Sequence, residues 1–236
     1  MLYVISDLHG YPLAKFKKLL EKAAFSNDDF LYLLGDCIDR NGDGGVEMLC
    51  WLLEQPNVQL ILGNHEAMLL ACAFVFEEIT EESINALTAE KMGLLQQYMH
   101  NGGNVTLKAL RELRNRAPDL IPELFDYLHD APLYEAVSAG GKDFLLLHSG
   151  IDHFEKGKKL SQYAQDDFLW TWTSLETDYF DDVIIVFGHT PTLTYGEEYT
   201  GKILKTRTWI DIDVGAGFGQ EPVLLRLDDF EEFRMA

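Results

Sequence analysis

Five short apolar runs in this 236-residue chain are each followed by a polar turn that contains glycine together with aspartate, asparagine or histidine. The runs span residues 2–5, 30–34, 58–62, 144–147 and 183–187, and their length and composition are typical of buried β-strands. The carboxyl ends of parallel strands lie along one edge of a sheet, so turns that follow such strands can meet at one place. This pattern constrains the chain to a fold that brings distant residues together.

The segments between the first three runs have apolar residues at helical spacing, over residues 13–24 and 44–54. Strands alternating with helices predict a parallel sheet. Residues 208–214 and 223–227 also indicate strands. Because helices do not separate the later strands regularly, we expect the second half to be largely antiparallel. The predicted fold class is α/β, with a two-sheet β-sandwich flanked by helices.

The chain lacks a linker rich in proline, glycine or serine, and it lacks repeats, which predicts a single domain over residues 1–236. Residues from about 67 to 130 are helical in pattern, with expected breaks at Gly102-Gly103, Pro118 and Pro122. Strands resume afterwards, so we interpret this stretch as a helical insertion that packs structurally, rather than as a regulatory cap.

The excess of acidic residues restricts the classes of molecule that the chain is expected to bind. With 39 acidic and 19 basic residues the net charge is −20, which disfavours nucleic acid and anionic membranes as partners. The same charge repels phosphorylated substrates at long range, so a site for them needs metal ions or a few well-placed cations.

The expected location is the cytoplasm. The three cysteines form no CxxC pair, the chain begins without the features of a signal peptide, and the longest apolar run, residues 67–76, is too short to span a membrane. The oligomeric state is left open.

The polar turns supply carboxylate, amide and imidazole groups, which suit Mn²⁺, Fe²⁺ or Zn²⁺. A single histidine beside a strand is more often a hydrogen-bonded structural residue. Here, however, four of the seven histidines lie in the turns that directly follow the apolar strand runs, which favours a metal site. His100, His129 and His153 fall outside the pattern and are expected at the surface. The candidate residues are Asp7, His9, Asp36, Asp39, Asn64, His65, His148 and His189.

The motifs SDLHG, GDCIDRN, GNHE, HSG and GHT occur in that order, and IDVGA follows them at residues 212–216. This series resembles the phosphoprotein phosphatase branch of the calcineurin-like metallophosphoesterases, with the compact bacterial and phage (lambda-type) Ser/Thr protein phosphatases most similar. The resemblance implies a four-layer α/β/β/α fold and two divalent metal ions, Mn²⁺ first, with Fe or Zn as alternatives.

The resemblance also implies the ligands and the reaction. A first metal would be held by Asp7, His9 and Asp36, and a second by Asp36, Asn64, His148 and His189. A hydroxide bridging the metals would attack phosphorus directly.

Three further residues receive roles from the same resemblance. His65 would protonate the leaving oxygen, Asp39 would orient His65, and Arg40 would grip phosphate oxygens. Asn64 and His65 would also contact the substrate.

The sequence departs from the pattern near Trp172, where the lambda-type enzymes carry an arginine that helps to hold the phosphate. Four cations are candidates to replace it: Lys156, Lys158, Lys159 and Arg207. We expect Trp170 and Trp172 to belong to the core; the alternative is that one of them stacks on an aromatic or nucleoside group of a substrate.

The expected function is hydrolysis of phosphate monoesters, in phosphorylated proteins (serine, threonine or tyrosine) or small phosphoesters. The alternative is hydrolysis of dinucleoside polyphosphates such as diadenosine tetraphosphate, motivated by the missing arginine and the nearby tryptophans. A catalytically dead scaffold is a third possibility, which the complete set of ligands disfavours.

Overall fold

Two five-stranded β-sheets form the centre of the computed structural model, which describes residues 1–235. The strands are β1 (Leu2–Ile5), β2 (Phe30–Leu33), β3 (Val58–Leu60), β4 (Tyr134–Ala139), β5 (Lys142–Leu147), β6 (Val183–Phe187), β7 (Leu204–Lys205), β8 (Trp209–Asp211), β9 (Leu224–Arg226) and β10 (Glu232–Phe233). The first sheet has the order β10-β9-β1-β2-β3, and the second has the order β4-β5-β6-β8-β7.

Two of the helices separate the first three strands, and the other five lie between β3 and β4. The helices are α1 (Leu13–Lys22), α2 (Val46–Leu52), α3 (Asn64–Ala71), α4 (Glu81–Asn85), α5 (Ala89–Tyr98), α6 (Asn104–Arg116) and α7 (Leu120–Asp130). Short 3₁₀ helices connect the strands of the second sheet, among them Gln165–Phe168 and Thr192–Tyr195, and Ala216–Phe218 lies between β8 and β9.

Alternation along the strands explains the layers. Val4 faces the core between the two sheets, whereas its neighbours Tyr3 and Ile5 face the core under the helices. In β5, Phe144 and Leu146 likewise face the inner core. The predicted two-sheet sandwich flanked by helices is therefore confirmed. On the outer side of the second sheet, the covering layer consists of loops and 3₁₀ helices packed around residues such as Trp209.

Strand direction in the second half is mostly antiparallel, as expected: β4 and β7 are antiparallel to their neighbours in the second sheet, and β9 and β10 pair antiparallel in the first. The centre of the second sheet differs, since β5, β6 and β8 run parallel to one another. Loops with 3₁₀ turns make these parallel crossovers in place of α-helices. As a result, β5, β6 and β8 all present their carboxyl ends at one edge.

The helical segment predicted over residues 67–130 begins slightly earlier, since α3 starts at Asn64. Leu110 of α6 and Leu124 of α7 share one hydrophobic cluster with the strands of the first sheet, and on this ground we propose that the segment belongs to the same domain. The predicted break at Pro122 is wrong: this proline lies in the first turn of α7, where its missing N–H has no intrahelical partner to lose. The break at Gly102 is present, at a φ of 103°.

Within residues 1–235, no helix has both the length and the apolar character that a membrane crossing would require.

Candidate active site

The polar turns of both sheets converge through backbone hydrogen bonds. The turn after β1 is joined to the turn after β2, with the Asp7 and His9 amides donating to the carbonyl oxygens of Gly35 (3.1 Å) and Asp36 (2.9 Å). The two sheets are joined where His148 Nδ1 donates to the carbonyl oxygen of Leu34 at 2.7 Å. The site therefore lies across the common edge of the sandwich.

Most of the converging residues adopt left-handed backbone conformations that cost non-glycine residues roughly 1–3 kcal/mol each. Positive φ angles occur at Asp7 (52°), His9 (42°), Asp36 (53°), Asp39 (75°), Arg40 (65°) and His189 (67°). Surrounding structure must stabilise these conformations, and their concentration at one place is typical of a functional site. Close packing at the site also requires glycine, because a Cβ on Gly188 would lie 2.0 Å from Asp7 Oδ2.

Asp36 is the common member of two groups of potential metal ligands. One group contains His9, Asp36 and His65, the other Asp36, His148 and His189, and within each group the ligand atoms lie within 4.8 Å of one another. All of these except His189 are fully buried. A carboxylate shared in this way can bridge two cations.

The tautomers of two histidines follow from their backbone contacts. His9 Nδ1 lies 3.1 Å from the Ile38 carbonyl oxygen, and His148 Nδ1 bonds to that of Leu34; carbonyl oxygens only accept, so both Nδ1 atoms carry the proton. Burial lowers the pKa of His148, and it lowers that of His9 to about 3, so both rings are neutral. Each Nε2 therefore presents a lone pair.

These lone pairs face other lone pairs. His148 Nε2 lies 3.4 Å from Asp36 Oδ1 and 2.8 Å from Asn64 Oδ1, while His9 Nε2 lies 3.7 Å from Asp36 Oδ2. His189 Nδ1 completes the arrangement, 3.1 Å from Asn64 Oδ1. Acceptors directed at one another repel unless a cation lies between them, so the donor set fits divalent metal ions.

Asp7 adds negative charge to the same place. Its Oδ2 accepts from the His189 amide at 2.9 Å, and its side chain is buried. Burial, together with the carboxylates of Asp213 and Asp36, raises the pKa of Asp7 well above its usual range. Cations beside these carboxylates would relieve that repulsion.

His65 and Asp39 form a hydrogen-bonded pair next to this cluster. His65 Nδ1 donates to Asp39 Oδ2 at 2.6 Å, and Arg40 Nη2 lies 3.3 Å from His65 Nε2. Burial opposes protonation of the ring, but the charges of Asp36 and Asp39 outweigh it and raise the pKa of His65 above its ordinary value. The ring can therefore hold a proton at the edge of the cluster.

Comparison with known proteins agrees with this geometry. Residues 1–208 match the family of calcineurin-like phosphoesterases. The chain belongs to this family. A bis(5'-nucleosyl)-tetraphosphatase (symmetrical) of Actinobacillus succinogenes is 32% identical to this phosphoesterase over 152 residues, covering 63% of the chain and 44% of the relative. The chain thus matches less than half the length of that relative.

Solved structures share the fold of this calcineurin-like phosphoesterase. A crystal structure of a proposed diadenosine tetraphosphatase superposes with a TM-score of 0.64 at 14% identity, covering 99% of this chain and 92% of the other. A protein serine/threonine phosphatase of Saccharomyces cerevisiae gives a TM-score of 0.55 at 14% identity, covering 100% of this chain and 80% of the other.

Two acidic residues of the phosphoesterase site had no predicted role, although both lie within the quoted motifs. Glu66 accepts hydrogen bonds from the amides of Asp36 (2.8 Å), Cys37 (2.9 Å) and Gly63 (3.1 Å), and so joins the turns after β2 and β3. Burial and the charge of Asp36 raise its pKa to about 7. Asp213 lines the active-site cavity, and burial raises its pKa to about 7 as well.

Two hydroxyl groups from the helical segment also escaped prediction. Tyr98 donates to Asp39 Oδ1 at 2.7 Å, and Thr106 donates to the same oxygen at 2.5 Å. Their signal in the sequence is weak, because a polar residue on a helix is usually a surface residue. Together they occupy the Asp39 oxygen that His65 does not use.

The site opens into a cavity of about 440 Å³. The residues that line it are His9, Asp36, Arg40, Asn64, His65, Asn101, Trp170, Trp172, His189, Pro191, Leu193, Thr194, Asp213 and Phe218. Its inner part is polar and its outer part is largely apolar.

The structure corrects two expectations about this cavity. Trp170 and Trp172 are not core residues: they are 41% and 66% exposed and line the cavity. None of the four candidate substitutes for the missing arginine lines it. Lys156 bonds to Asp181 at 3.2 Å and Arg207 pairs with Asp178, while Arg40 is the one arginine or lysine among the lining residues.

The histidines outside the motifs lie where they were expected. His100, His129 and His153 are exposed. His153 lies beside Asp152 and Asp167 in an exposed cluster away from the cavity, and Cys37 is buried as expected.

Proposed function

We propose that this phosphoesterase binds two divalent metal ions and hydrolyses dinucleoside polyphosphates of the bis(5'-nucleosyl)-tetraphosphate type. The observation that carries the metal-dependent chemistry is the position of Asp36, whose two oxygens face the neutral imidazole rings of two different histidines, His9 and His148. Mn²⁺ is the proposed ion, with Fe or Zn as alternatives.

The ligand assignment follows the two groups. Asp7, His9 and Asp36 would hold one ion, and Asp36, Asn64, His148 and His189 the other. When bound, the ions would supply an activated water and would neutralise charge on the phosphoryl oxygens. Carboxylate, amide and imidazole donors of this kind suit Mn²⁺ and its neighbours.

His65 is assigned to proton transfer rather than to metal binding. His65 lies close enough to Asp36 for both to bind one metal ion. However, its Nδ1 donates a hydrogen bond to Asp39, which orients the ring and stabilises its charged form. Its Nε2 is then directed to the region where a leaving oxygen would separate. Arg40 next to it would bind phosphoryl oxygens with its planar guanidinium group, and Asn64 would face the substrate from the other side.

Two observations support a dinucleoside substrate. The cavity of about 440 Å³ is much larger than a phosphoryl group needs, and its apolar outer part suits a nucleoside. The curated relative from Actinobacillus succinogenes is a symmetrical bis(5'-nucleosyl)-tetraphosphatase. Symmetrical cleavage consumes one water at the central phosphoanhydride bond and releases two nucleoside diphosphates.

Hydrolysis of phosphate monoesters is the second candidate. Arg40 and His65 lie side by side, 3.3 Å apart, and this pair can serve a single phosphoryl group whether the leaving oxygen belongs to a phosphate, a serine or a tyrosine. Phosphorylated proteins and small phosphoesters are therefore the substrates to compare with dinucleotides.

A substrate panel tests the proposal. Purified protein would be supplied with Mn²⁺, Fe²⁺, Zn²⁺ or Mg²⁺ and assayed on diadenosine tetraphosphate, phosphopeptides and p-nitrophenyl phosphate, with products separated by chromatography. We expect kcat/KM for diadenosine tetraphosphate to exceed that for the monoesters, with ADP as the nucleotide product. Faster hydrolysis of phosphopeptides would favour the second candidate, and hydrolysis of neither would refute the assignment.

We further propose that the protein acts in the cytoplasm. Cys37, Cys50 and Cys72 are all free thiols in the described part of the chain, as expected in a reducing compartment.

A further inference from the structure

We propose that Trp170 and Trp172 form a stacking subsite for the base of a nucleotide, and that this subsite, together with Arg40, holds the substrate against the metal ligands. The inference rests on the proposed function for the reaction that it serves. It adds the residues that recognise the organic part of the substrate and the chemistry by which they do so.

The exposed phenylalanine and tryptophan side chains lie together at this cavity. Among residues 1–235, the phenylalanines and tryptophans that are exposed number three, Trp170, Trp172 and Phe218, and all three line it. An exposed tryptophan leaves a large apolar surface in water, which a binding partner would cover. Among the other exposed large apolar residues, Leu193 also lines the cavity, whereas residues such as Ile79 and Ile84 do not.

The backbone that carries the two indoles is anchored to the metal-site turn after β5. Thr171 N donates to Ser149 Oγ at 3.2 Å, and the Thr173 hydroxyl lies 3.0 Å from the Tyr179 hydroxyl. Thr173 is buried, so the segment alternates between inward threonines and outward tryptophans. The indoles are thus carried on a fixed segment, which reduces the entropy that binding would otherwise cost.

The subsite lies next to the proposed phosphate position. The ring of Trp170 is 6.3 Å from that of His189, a proposed metal ligand, measured between centroids. A phosphoryl group held by Arg40 and His65 would therefore direct its nucleoside toward the tryptophans. Phe218 is not free in the same way, because its ring packs against the Arg40 guanidinium group at 4.9 Å and helps to hold it.

Charge explains why such a subsite is needed. The chain carries a net charge of −20, and Arg40 is the one lysine or arginine among the residues that line the cavity. Affinity for the base compensates for weak electrostatic attraction to a polyanion. Every base has an aromatic face, so stacking follows ring area more than the pattern of hydrogen-bonding groups, and purines should bind better than pyrimidines.

Binding of AMP compared with ribose 5-phosphate tests the inference, because the two ligands differ at C1′, where AMP carries the base and ribose 5-phosphate carries a hydroxyl group. Titrations by calorimetry and by tryptophan fluorescence would use the full chain loaded with Mn²⁺. We expect AMP to bind about tenfold more tightly than ribose 5-phosphate and about threefold more tightly than UMP, and to quench the fluorescence. In Trp172→Ala, AMP should bind only about one- to threefold more tightly than ribose 5-phosphate. Trp172→Phe should restore most of the preference for AMP.

Leu175→Ala is the matched control, since Leu175 is 46% exposed on the following segment and does not line the cavity. It should keep the tenfold ratio. An equal affinity of the wild type for AMP and ribose 5-phosphate, or a ratio that Trp170→Ala and Trp172→Ala both leave unchanged, would overturn the inference.

The outcome for the proposed function is separate. If diadenosine tetraphosphate is hydrolysed and the tryptophan variants keep its KM, the stacking subsite is wrong and the activity stands. If AMP binds through the tryptophans and dinucleoside tetraphosphates are not hydrolysed, the subsite is supported and the proposed reaction is wrong.

Discussion

Asp36 follows β2 with one oxygen 3.4 Å from His148 and the other 3.7 Å from both His9 and His65. In the absence of a cation this arrangement would direct lone pairs at one another, since the neutral rings of His9 and His148 donate their protons to backbone carbonyls. Glu66 fixes the turn from behind by accepting the amide of Asp36. The geometry of single residues thus specifies where the metal ions would lie.

His65→Asn tests the assignment of the proton donor at this scale. The substitution should lower kcat on diadenosine tetraphosphate by about 10²–10⁴-fold, because the nucleoside diphosphate would have to leave without receiving a proton. On 2,4-dinitrophenyl phosphate, whose leaving group needs no proton, the loss should be less than about tenfold.

Metal content serves as the control for His65→Asn. Both ions should remain bound, because asparagine at this position removes no proposed ligand. Equal losses on both substrates, or loss of one metal ion, would show that His65 is a ligand and not the proton donor.

Secondary-structure elements connect Asp39 and Arg40, which have proposed roles in the reaction, to the helical segment. Asp39 accepts from Tyr98 at the end of α5 and from Thr106 in α6, and the Arg40 amide donates to the carbonyl oxygen of Gly102 between them at 3.2 Å. The helices between the third and fourth strands therefore fix both Asp39 and Arg40. Displacement of these helices would therefore disturb Asp39, and through it the proposed proton donor His65.

Tyr98→Phe tests this connection. Removing one donor from the buried Asp39 carboxylate should lower the free energy of unfolding by about 1.5–3 kcal/mol, measured by urea denaturation. Turnover of diadenosine tetraphosphate should fall more than turnover of 2,4-dinitrophenyl phosphate, since Asp39 acts through His65. Metal content should be unchanged.

Tyr127→Phe provides the comparison, because the Tyr127 hydroxyl lies 3.4 Å from the Leu60 amide and makes no bond to Asp39. It should preserve the ratio between the two substrates. A Tyr98→Phe protein with the same ratio as this control would mean that the hydroxyl has only a structural role.

The strands that the sequence predicted best are the buried ones. Runs such as β1 and β6 consist of consecutive apolar residues, and the structure has both at the predicted bounds. β4 was missed because its partly exposed sequence YEAVSA has no clear pattern, and its pairing with β5 decides its conformation. The two-residue edge strands β7 and β10 are likewise defined by their neighbours.

Sequence-based prediction of the site is limited by a similar cause. Motif turns such as residues 7–9 can be recognised in the sequence because they follow buried strands. Tyr98 and Thr106 reach Asp39 from 59 and 67 residues away, and only the packing of the helices brings them there. The exposure of Trp170 and Trp172 is also a tertiary property, because a tryptophan in an apolar stretch most often indicates core.

The whole molecule carries a net charge of −20 around a cavity whose lining residues include a single arginine. This distribution predicts that salt accelerates capture of an anionic substrate. Raising tetramethylammonium chloride from 10 to 150 mM at saturating Mn²⁺ should increase kcat/KM for diadenosine tetraphosphate about two- to fivefold, because screening weakens the long-range repulsion. A decrease with salt would mean that the local positive charge of the site dominates capture.

Metal stoichiometry in the intact protein tests the central claim most directly. Wild-type protein dialysed against Mn²⁺ and measured by mass spectrometry of the metal should contain two ions per chain. Asp36→Asn should contain fewer than one, since one carboxylate serves both ions, while Asp126→Asn on the exposed side of α7 should retain two. Two ions per chain in Asp36→Asn would contradict the shared site on which the proposed hydrolysis depends.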